Sequence, residues 1–188
     1  MESSEHDAME PRAGARTRAS DSHSAAARPH DAATRRVVRE VEALLRTGGA
    51  PAALAWLNAR VRFRYTGLYH AAPPLLRNVH LIDRENPTLN VSGEVCPLDD
   101  TYCAIACASE ASFSTADARL DARLLEHPAR HAVISYAGVP LRLASGRAWG
   151  TLCHFDLRPR LLPATELRVL DAVAPVFVHW LEETRLIS

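Results

Sequence analysis

The period of the hydrophobic positions predicts three helices. From Asp31 onward, apolar residues recur every three to four positions, the spacing of one helix face, and Gly48 with Gly49 ends that helix. Pro51 begins a second short helix, because proline is tolerated in a first turn. A long apolar stripe with the same spacing covers 163–186, so a third helix is predicted there.

Alternating apolar and polar positions predict two β-hairpins. In the first, the runs 61–72 and 75–84 are separated by two prolines. In the second, the runs 132–143 and 147–157 are joined by a short connector with Gly146, whose backbone can take the positive φ of a tight turn. Helices, hairpin, short helices, hairpin and helix follow one another, which predicts an antiparallel α+β fold.

Two glycines interrupt the second hairpin. Gly138 and Gly150 each lie inside a strand-forming run, where glycine normally weakens a strand. We therefore expect a bulge at each, or the close approach of another backbone or a ligand.

The pattern between the hairpins is weaker. The polar segment 85–97 is predicted as a linker, and Asp99 or Asp100 is predicted to cap a short helix over 98–108. A short β-type run follows at 111–115.

The composition divides the chain into a tail and one domain. Residues 1–31 contain almost no large apolar side chains, so they cannot offset the entropy of ordering and are predicted as a disordered tail. With 47% hydrophobic residues, the chain can bury one core, and 32–186 is predicted as a single domain.

The charge balance limits the classes of partner. The 22 basic residues, all Arg, equal the 22 acidic ones in number, so no net field attracts nucleic acid or an anionic membrane. No apolar run reaches the roughly 18 residues of a membrane helix, and no signal segment is recognisable. We expect a cytoplasmic protein that binds neither nucleic acid nor membrane.

The cysteines and histidines show no metal-binding spacing. The four Cys form no CxxC pairs, which indicates reduced thiols and not a disulfide framework or a zinc site. His80, His131 and His154 lack a paired spacing such as HxxH. The sequence therefore predicts no metal and no cofactor.

Four short motifs, in order along 91–160, resemble the GAF domain family of small sensory modules. The motifs are the segment from Pro97 through Tyr102 to Cys103, DAR at 117–119, AGVPL at 137–141 and GTLC at 150–153, the last followed by Asp156, Arg158 and Pro159. The resemblance implies a central six-stranded antiparallel sheet, with the terminal helices on one face and short helices and loops over a ligand pocket on the other.

The resemblance also implies candidate ligand-binding residues. Asp117 and Arg119 belong to the loop that covers the pocket in the family, where a carboxylate and a guanidinium can grip a polar ligand. An equally good interpretation is that Asp117 caps a turn. The full set of candidates is Tyr102, Cys103, Asp117, Arg119, Tyr136, Thr151 and Cys153. No catalytic residue is assigned.

Three functions remain open. The first is a stand-alone sensory module, a homodimer whose terminal helices bundle between protomers; it binds a small molecule and, lacking an output domain in this sequence, signals through a separate partner. The second is a thiol-dependent reductase of a small sulfoxide, resembling the free methionine sulfoxide reductases, because Cys103 and Cys107 share a helix face and Cys153 lies on a nearby strand. The third is a structural dimerisation module whose pocket is filled by Tyr136 or Phe155.

Overall fold

A six-stranded antiparallel sheet runs through the middle of the protein. The structure is a computed structural model that describes residues 32–186, and the tail predicted over 1–31 lies outside these residues. Within residues 32–186 the helices are α1 (Ala32–Ala59), α2 (Tyr102–Ser109) and α3 (Ala164–Glu183). The strands are β1 (Tyr65–Ala72), β2 (Leu75–Asp83), β3 (Val95–Pro97), β4 (Phe113–Thr115), β5 (Ser135–Arg142) and β6 (Ala148–Asp156).

The strand order is β3-β2-β1-β6-β5-β4. Both predicted hairpins are confirmed, as β1 with β2 and as β5 with β6. The long-range pairing of β1 with β6 joins the two hairpins at the centre of the sheet. The predicted α+β fold with six antiparallel strands is therefore confirmed.

One face of the sheet is covered by α1 and α3. The apolar stripes of these helices pack on strand residues such as Leu68, Val139 and Leu152 and form the larger hydrophobic core. Stripe residues Val41, Phe177 and Leu181 are completely buried. The apolar stripes are thus buried within one protomer. They therefore do not support the expected bundling of the terminal helices between protomers.

Helix α1 has a break near its middle. Gly49 takes φ 66° and ψ −165°, which is not helical, and Pro51 follows in the next segment. The predicted end of one helix at Gly48-Gly49 and start of another at Pro51 are therefore confirmed as two segments that meet at Gly49.

Two local predictions were wrong. The segment predicted as a linker ends in the edge strand β3, whose three residues pair with β2. Asp99 and Asp100 do not cap α2, because they lie in a 3₁₀ turn over Leu98–Asp100 and Thr101 occupies the N-cap position.

The other face of the sheet is covered by α2 and by loops. Because side chains alternate along a strand, Tyr69 and Cys153 point away from the face used by their neighbours Leu68 and Leu152. Together with Leu76, Tyr102 and Tyr136 they form a second, smaller core. The candidate site lies within this second core.

Candidate functional site

A recess of about 170 Å³ lies between α2 and the sheet, and we call it the α2 recess. Its lining comes from strands β1, β2, β3, β5 and β6, from α2 and the 3₁₀ turn before it, and from the segment before β5. The lining residues are Tyr69, Leu76, Cys96, Asp100, Thr101, Tyr102, Cys103, Ala129, Val133, Tyr136, Cys153 and Phe155. Asp100 is the one residue in this lining that carries a formal charge.

Two tyrosine rings of the lining lie over glycines of their own strands. A Cβ at Gly67 would come within 2.3 Å of the Tyr69 ring, and a Cβ at Gly138 would come within 2.1 Å of the Tyr136 hydroxyl. Glycine at these positions therefore creates the space that the two rings occupy. At Gly138 the close approach is made by side chains, and not by another backbone or a ligand as expected. The expected approach of another backbone is found at Gly150, where a Cβ would lie 1.9 Å from the Tyr69 carbonyl oxygen.

Two buried thiols lie at the sheet side of the recess. The Thr151 hydroxyl donates to Cys103 Sγ at 3.1 Å, and the Tyr136 hydroxyl donates to the same sulfur at 3.5 Å. Hydrogen bonding from Cys153, with Thr151 and Tyr136, lowers the pKa of Cys103 to about 7, although burial opposes this effect. Burial raises the pKa of Cys153.

The other two cysteines have different surroundings. Cys96 is exposed on β3 and contributes to the rim of the recess. Cys107 does not line the recess. Its Sγ lies 3.7 Å from the Gly150 carbonyl oxygen, and burial raises its pKa to about 12. The expected helix-face pair Cys103 and Cys107 therefore does not form one thiol site.

Five of the seven candidate residues come together. Tyr102, Cys103, Tyr136 and Cys153 line the α2 recess, and Thr151 lies behind Cys103. The Tyr102 hydroxyl donates to the Val133 carbonyl at 3.1 Å, which holds its ring at the recess wall.

Asp117 and Arg119 lie outside the α2 recess. Arg119 donates two hydrogen bonds to the Asp117 carboxylate at 2.8 and 2.7 Å, and the Arg119 side chain is half exposed. Asp117 also accepts a hydrogen bond from the Arg119 backbone N–H. This is the turn cap that was the alternative interpretation of Asp117 in the sequence. The two side chains therefore satisfy each other.

Four apolar residues of the lining were not predicted from the sequence, namely Tyr69, Leu76, Ala129 and Val133, whereas Phe155 was predicted only as a ring that fills the pocket. Tyr69, Leu76 and Phe155 lie on strands whose pairing places them over the same area of the sheet. Strand alternation was a usable signal for Tyr69, whose neighbour Leu68 packs on the helical face. Ala129 and Val133 lie in and after a 3₁₀ turn over Pro128–His131, and no sequence signal singles them out.

Metal sites and membrane spans are both missing from the part of the chain that the structure describes. Residues 32–186 contain no group of three or more His, Cys, Asp or Glu arranged to hold a metal ion. None of the helices in these residues combines the length and the apolar character that crossing a membrane requires.

One relative among known proteins matches about half of this chain. A cyclic di-GMP phosphodiesterase of Pseudomonas aeruginosa is 34% identical over 99 residues, which are 49% of this chain. The match covers 17% of that enzyme, so it concerns only a part of it.

Among solved structures, the fold is similar to that of the GAF domain from an Acinetobacter phosphoenolpyruvate-protein phosphotransferase. The TM-score is 0.65 at 10% identity, over 82% of this chain and 96% of that domain. It is also similar to the free methionine-R-sulfoxide reductase from Neisseria meningitidis, with a TM-score of 0.62 at 18% identity, over 81% of this chain and 90% of the enzyme. At these identities the likeness concerns the fold alone.

The family model described as GAF domain matches residues 30–177, which is most of the chain. The match includes α1, all six strands, α2, the α2 recess and most of α3. This chain belongs to the GAF domain family.

Proposed function

We propose that this GAF domain is a sensory or regulatory module that binds a small molecule in the α2 recess and signals through a partner protein. The observation that carries the proposal is the recess itself, with polar groups of Tyr102, Cys103 and Tyr136 in a largely apolar wall. An apolar protein cavity of about 150 Å³ holds a benzene molecule, so about 170 Å³ has room for one small ring.

The charge of the lining favours an uncharged ligand. A carboxylate or phosphate group is normally held by Arg or Lys, and neither residue type lines the recess. Asp100 would in addition repel an anion. Typical sites for larger ligands have about 300–1,000 Å³, so the recess is also too small for a cyclic dinucleotide.

The phosphodiesterase relative supports a signalling context. Its name describes an enzyme that acts on a nucleotide messenger, and the matched region is a minor part of its length. We therefore propose that the partner of this module is an effector protein or domain, and that the recess is the input site.

A recess-filling substitution tests the ligand site. Ala129 is buried in the lining, so Ala129→Phe should occupy the recess. Ala122 is exposed in a separate 3₁₀ turn, so Ala122→Phe is the matched control. A ligand at 100 times its dissociation constant adds about 2.7 kcal/mol to the free energy of unfolding.

We expect phenol to raise the melting temperature of the wild type and of Ala122→Phe, but not that of Ala129→Phe. Benzoate, which has nearly the same shape and carries a charge, should have no effect on any of the three. Equal responses of all three proteins to phenol, or no response of the wild type, would reject the α2 recess as the ligand site.

Homodimerisation is part of the proposal and rests on the family resemblance. Sedimentation analysis between 1 and 100 µM, as an order-of-magnitude range around typical weak dimer affinities, measures it directly. A single species of about twice the 20.6 kDa protomer mass is expected, and a monomer throughout would remove the dimer.

A second candidate function is reduction of a small sulfoxide, favoured by the adjacent thiols of Cys103 and Cys153. In that reaction the two thiols lose two electrons and two protons and form a disulfide, and the sulfoxide oxygen leaves as water. Thioredoxin would then reduce the disulfide. Turnover of methionine sulfoxide, or of the uncharged dimethyl sulfoxide, that is abolished in Cys103→Ser would support this function. No turnover of either sulfoxide by the wild type would exclude it.

The structural alternative has less support. A recess of about 170 Å³ remains beside Tyr136 and Phe155, so these rings line the space and do not fill it. Ligand binding is the better proposal for that reason.

A further inference from the structure

A recess of about 430 Å³ lies where the segment from α1 to β1 meets the segment from β6 to α3, and we call it the arginine recess. Three arginines line it, Arg60 and Arg62 from the first segment and Arg160 from the second. The two segments are neighbours because β1 pairs with β6, with Tyr65 opposite Phe155. The arginine recess and the α2 recess have no lining residue in common.

The lining of the arginine recess has an excess of positive charge. It contains the three arginines and one acidic residue, Glu166, so its formal charge is +2, whereas the whole chain has a net charge of zero. A concave site lined by charges of one sign raises the local concentration of ligands of the opposite sign. The lining therefore favours an anion, which the α2 recess does not.

Arg60 is already paired and forms a fixed wall of the recess. Its Nε and Nη2 donate to the two carboxylate oxygens of Glu166 at 3.0 and 2.7 Å. Its guanidinium also lies over the ring of Trp56, at 5.0 Å from the ring centroid. This pair joins the end of α1 to the first turn of α3, and it shows that one carboxylate is satisfied by one guanidinium.

Arg62 and Arg160 have unused donors. Arg62 is exposed, and its side chain makes no hydrogen bond or ion pair with the residues that the structure describes. Arg160 donates through Nε to the Asp156 carboxylate at 3.0 Å, and its two terminal nitrogens have no partner within residues 32–186. Its backbone N–H donates to the Ala116 carbonyl at 3.1 Å, which holds the residue in place. Two guanidinium groups with free donors thus line the same recess.

The rest of the lining offers apolar surface. Leu161 is 81% exposed and lines the recess together with Pro159 and Pro163. Exposed apolar residues beside a concave charged site suit a ligand that has an apolar part as well as an anionic group.

We propose that the arginine recess is a second binding site, for a small phosphate monoester whose apolar or planar body packs on Leu161 and the two prolines. A phosphate monoester has three acceptor oxygens and a charge of about −2, which matches the charge of the lining and can accept from both Arg62 and Arg160. The volume lies within the roughly 300–1,000 Å³ of small-molecule sites. The proposal does not rest on ligand binding in the α2 recess.

Phenyl phosphate and methyl phenyl phosphate are the probes for this site. They share the ring, but at pH 8 the first is a dianion and the second, a diester, is a monoanion. By calorimetry at low salt we expect the wild type to bind phenyl phosphate at least about ten times more tightly. Equal affinities, or no binding of phenyl phosphate, would overturn the proposal.

Two variants assign the binding to Arg62. Arg62→Gln breaks no contact in the folded protein and should weaken phenyl phosphate binding about ten- to a hundredfold, the range for hydrogen bonds to a charged group. Arg168→Gln removes the same charge at an exposed position of α3 outside the recess, and screening should keep its effect below about threefold. Equal losses in the two variants would overturn the proposal.

A change of opposite sign comes from Glu166. Glu166→Gln raises the formal charge of the lining by one and leaves an amide oxygen that can still accept from Arg60, so phenyl phosphate should bind more tightly than to the wild type. A loss of folding cannot produce tighter binding. Weaker or unchanged binding in this variant would contradict the proposal.

Two further measurements separate this site from other sources of binding. Ala129→Phe fills the α2 recess and should keep its affinity for phenyl phosphate. Loss of binding in Ala129→Phe would move the anion to the α2 recess and reject the arginine recess. Cosedimentation of the wild type with phosphatidic acid vesicles, without binding of phenyl phosphate, would assign the arginines to a lipid surface and reject the small-molecule site.

Discussion

Gly138 and Gly150 carry the closest packing in the sheet. A Cβ at Gly150 would lie 1.9 Å from the Tyr69 carbonyl oxygen, a backbone atom in the paired strand β1. A Cβ at Gly138 would meet the Tyr136 hydroxyl at 2.1 Å and Cys153 Cβ at 2.9 Å, and the first of these can move. The cost of an added methyl group therefore depends on what it meets.

We predict that Gly150→Ala is the more damaging substitution. It should lower the free energy of unfolding by about 3 kcal/mol, at the upper end of overpacking effects, because β1 must shift. Gly138→Ala should cost about 1–2 kcal/mol, because the Tyr136 side chain can give way. Urea unfolding measures both, with Ser145→Ala on the exposed turn as a near-neutral control. The reverse order would contradict this account.

His154 couples stability to pH. The Thr66 hydroxyl accepts from Asn58 at 2.8 Å, which leaves its proton for His154 Nδ1 at 2.7 Å. Burial, with a smaller contribution from Arg84, lowers the pKa of His154 from 6.5 to about 3. The folded protein thus holds the neutral ring, while the unfolded chain takes up a proton below about pH 6.5.

Stability should therefore be greatest above pH 6.5 and fall as the pH decreases. Between pH 7 and pH 5 the His154 contribution to the free energy of unfolding should fall by about 2 kcal/mol. Urea unfolding at both values tests this, and His154→Gln should reduce the decrease because it cannot be protonated. The same decrease in that variant would assign the effect to other groups, such as His70 and His80, whose pKa values burial also lowers.

At the residue scale, the sequence predicted the buried residues of the pocket better than the charged ones. Cys103, Tyr136 and Cys153 were predicted for the pocket and do line it, since they lie on elements with recognisable motifs. Asp117 and Arg119 form hydrogen bonds with each other, because a carboxylate and a guanidinium two residues apart can pair locally. Sequence alone did not decide between that pair and a ligand.

At the scale of elements, Asn58 links the end of α1 to the sheet. Its amide nitrogen donates to the Phe63 carbonyl at 3.1 Å and to the Thr66 hydroxyl, and its oxygen accepts from Arg84 Nε at 3.2 Å. The residue is only 3% exposed, so these bonds cannot be replaced by water. The helix, β1 and β6 thus meet in one buried polar network.

We predict that Asn58→Ala lowers the free energy of unfolding by about 2–3 kcal/mol, because it leaves several buried groups unpaired. Asn90→Ala, at an exposed position, should change it by less than about 0.5 kcal/mol. In a double-mutant cycle with Thr66→Val, the double mutant should lose less stability than the sum of the two single-mutant losses, since the two residues share a hydrogen bond. Additive effects would mean that the network is not cooperative.

Elements with a strong period were predictable, and short ones were not. The hairpins and the terminal helices follow alternation or stripe patterns over eight or more residues. Strand β3 has three exposed residues and forms because it pairs with β2. A pairing with a distant strand cannot be read from the local sequence pattern. Thr101, and not Asp99 or Asp100, occupies the N-cap position of α2, because the two aspartates belong to the preceding 3₁₀ turn.

At the scale of the molecule, the sheet separates two apolar clusters with different roles. The α1 and α3 side holds the larger cluster, with many completely buried residues. The α2 side holds the smaller cluster and the α2 recess. A buried helical layer on one face and an accessible recess on the other suit a module that binds a ligand.

The α2 recess was not predictable as a whole. Tyr69, Leu76 and Phe155 become neighbours through the pairing of β1 with β2 and with β6, and the register of those pairs is a property of the assembled sheet. The family resemblance predicted a pocket on this face, while its size and its lack of Arg and Lys follow only from the assembled side chains. These two features changed the expected ligand from a polar molecule to an uncharged one.

The most direct test of ligand binding in the α2 recess is an alanine-methyl NMR titration with phenol. Ala129 lines the recess, and Ala53 is completely buried in the opposite core. We predict that the Ala129 methyl signal shifts and saturates with phenol, that Ala53 does not move, and that benzoate shifts neither. An unmoved Ala129 signal, or the same shift with benzoate as with phenol, would contradict the account.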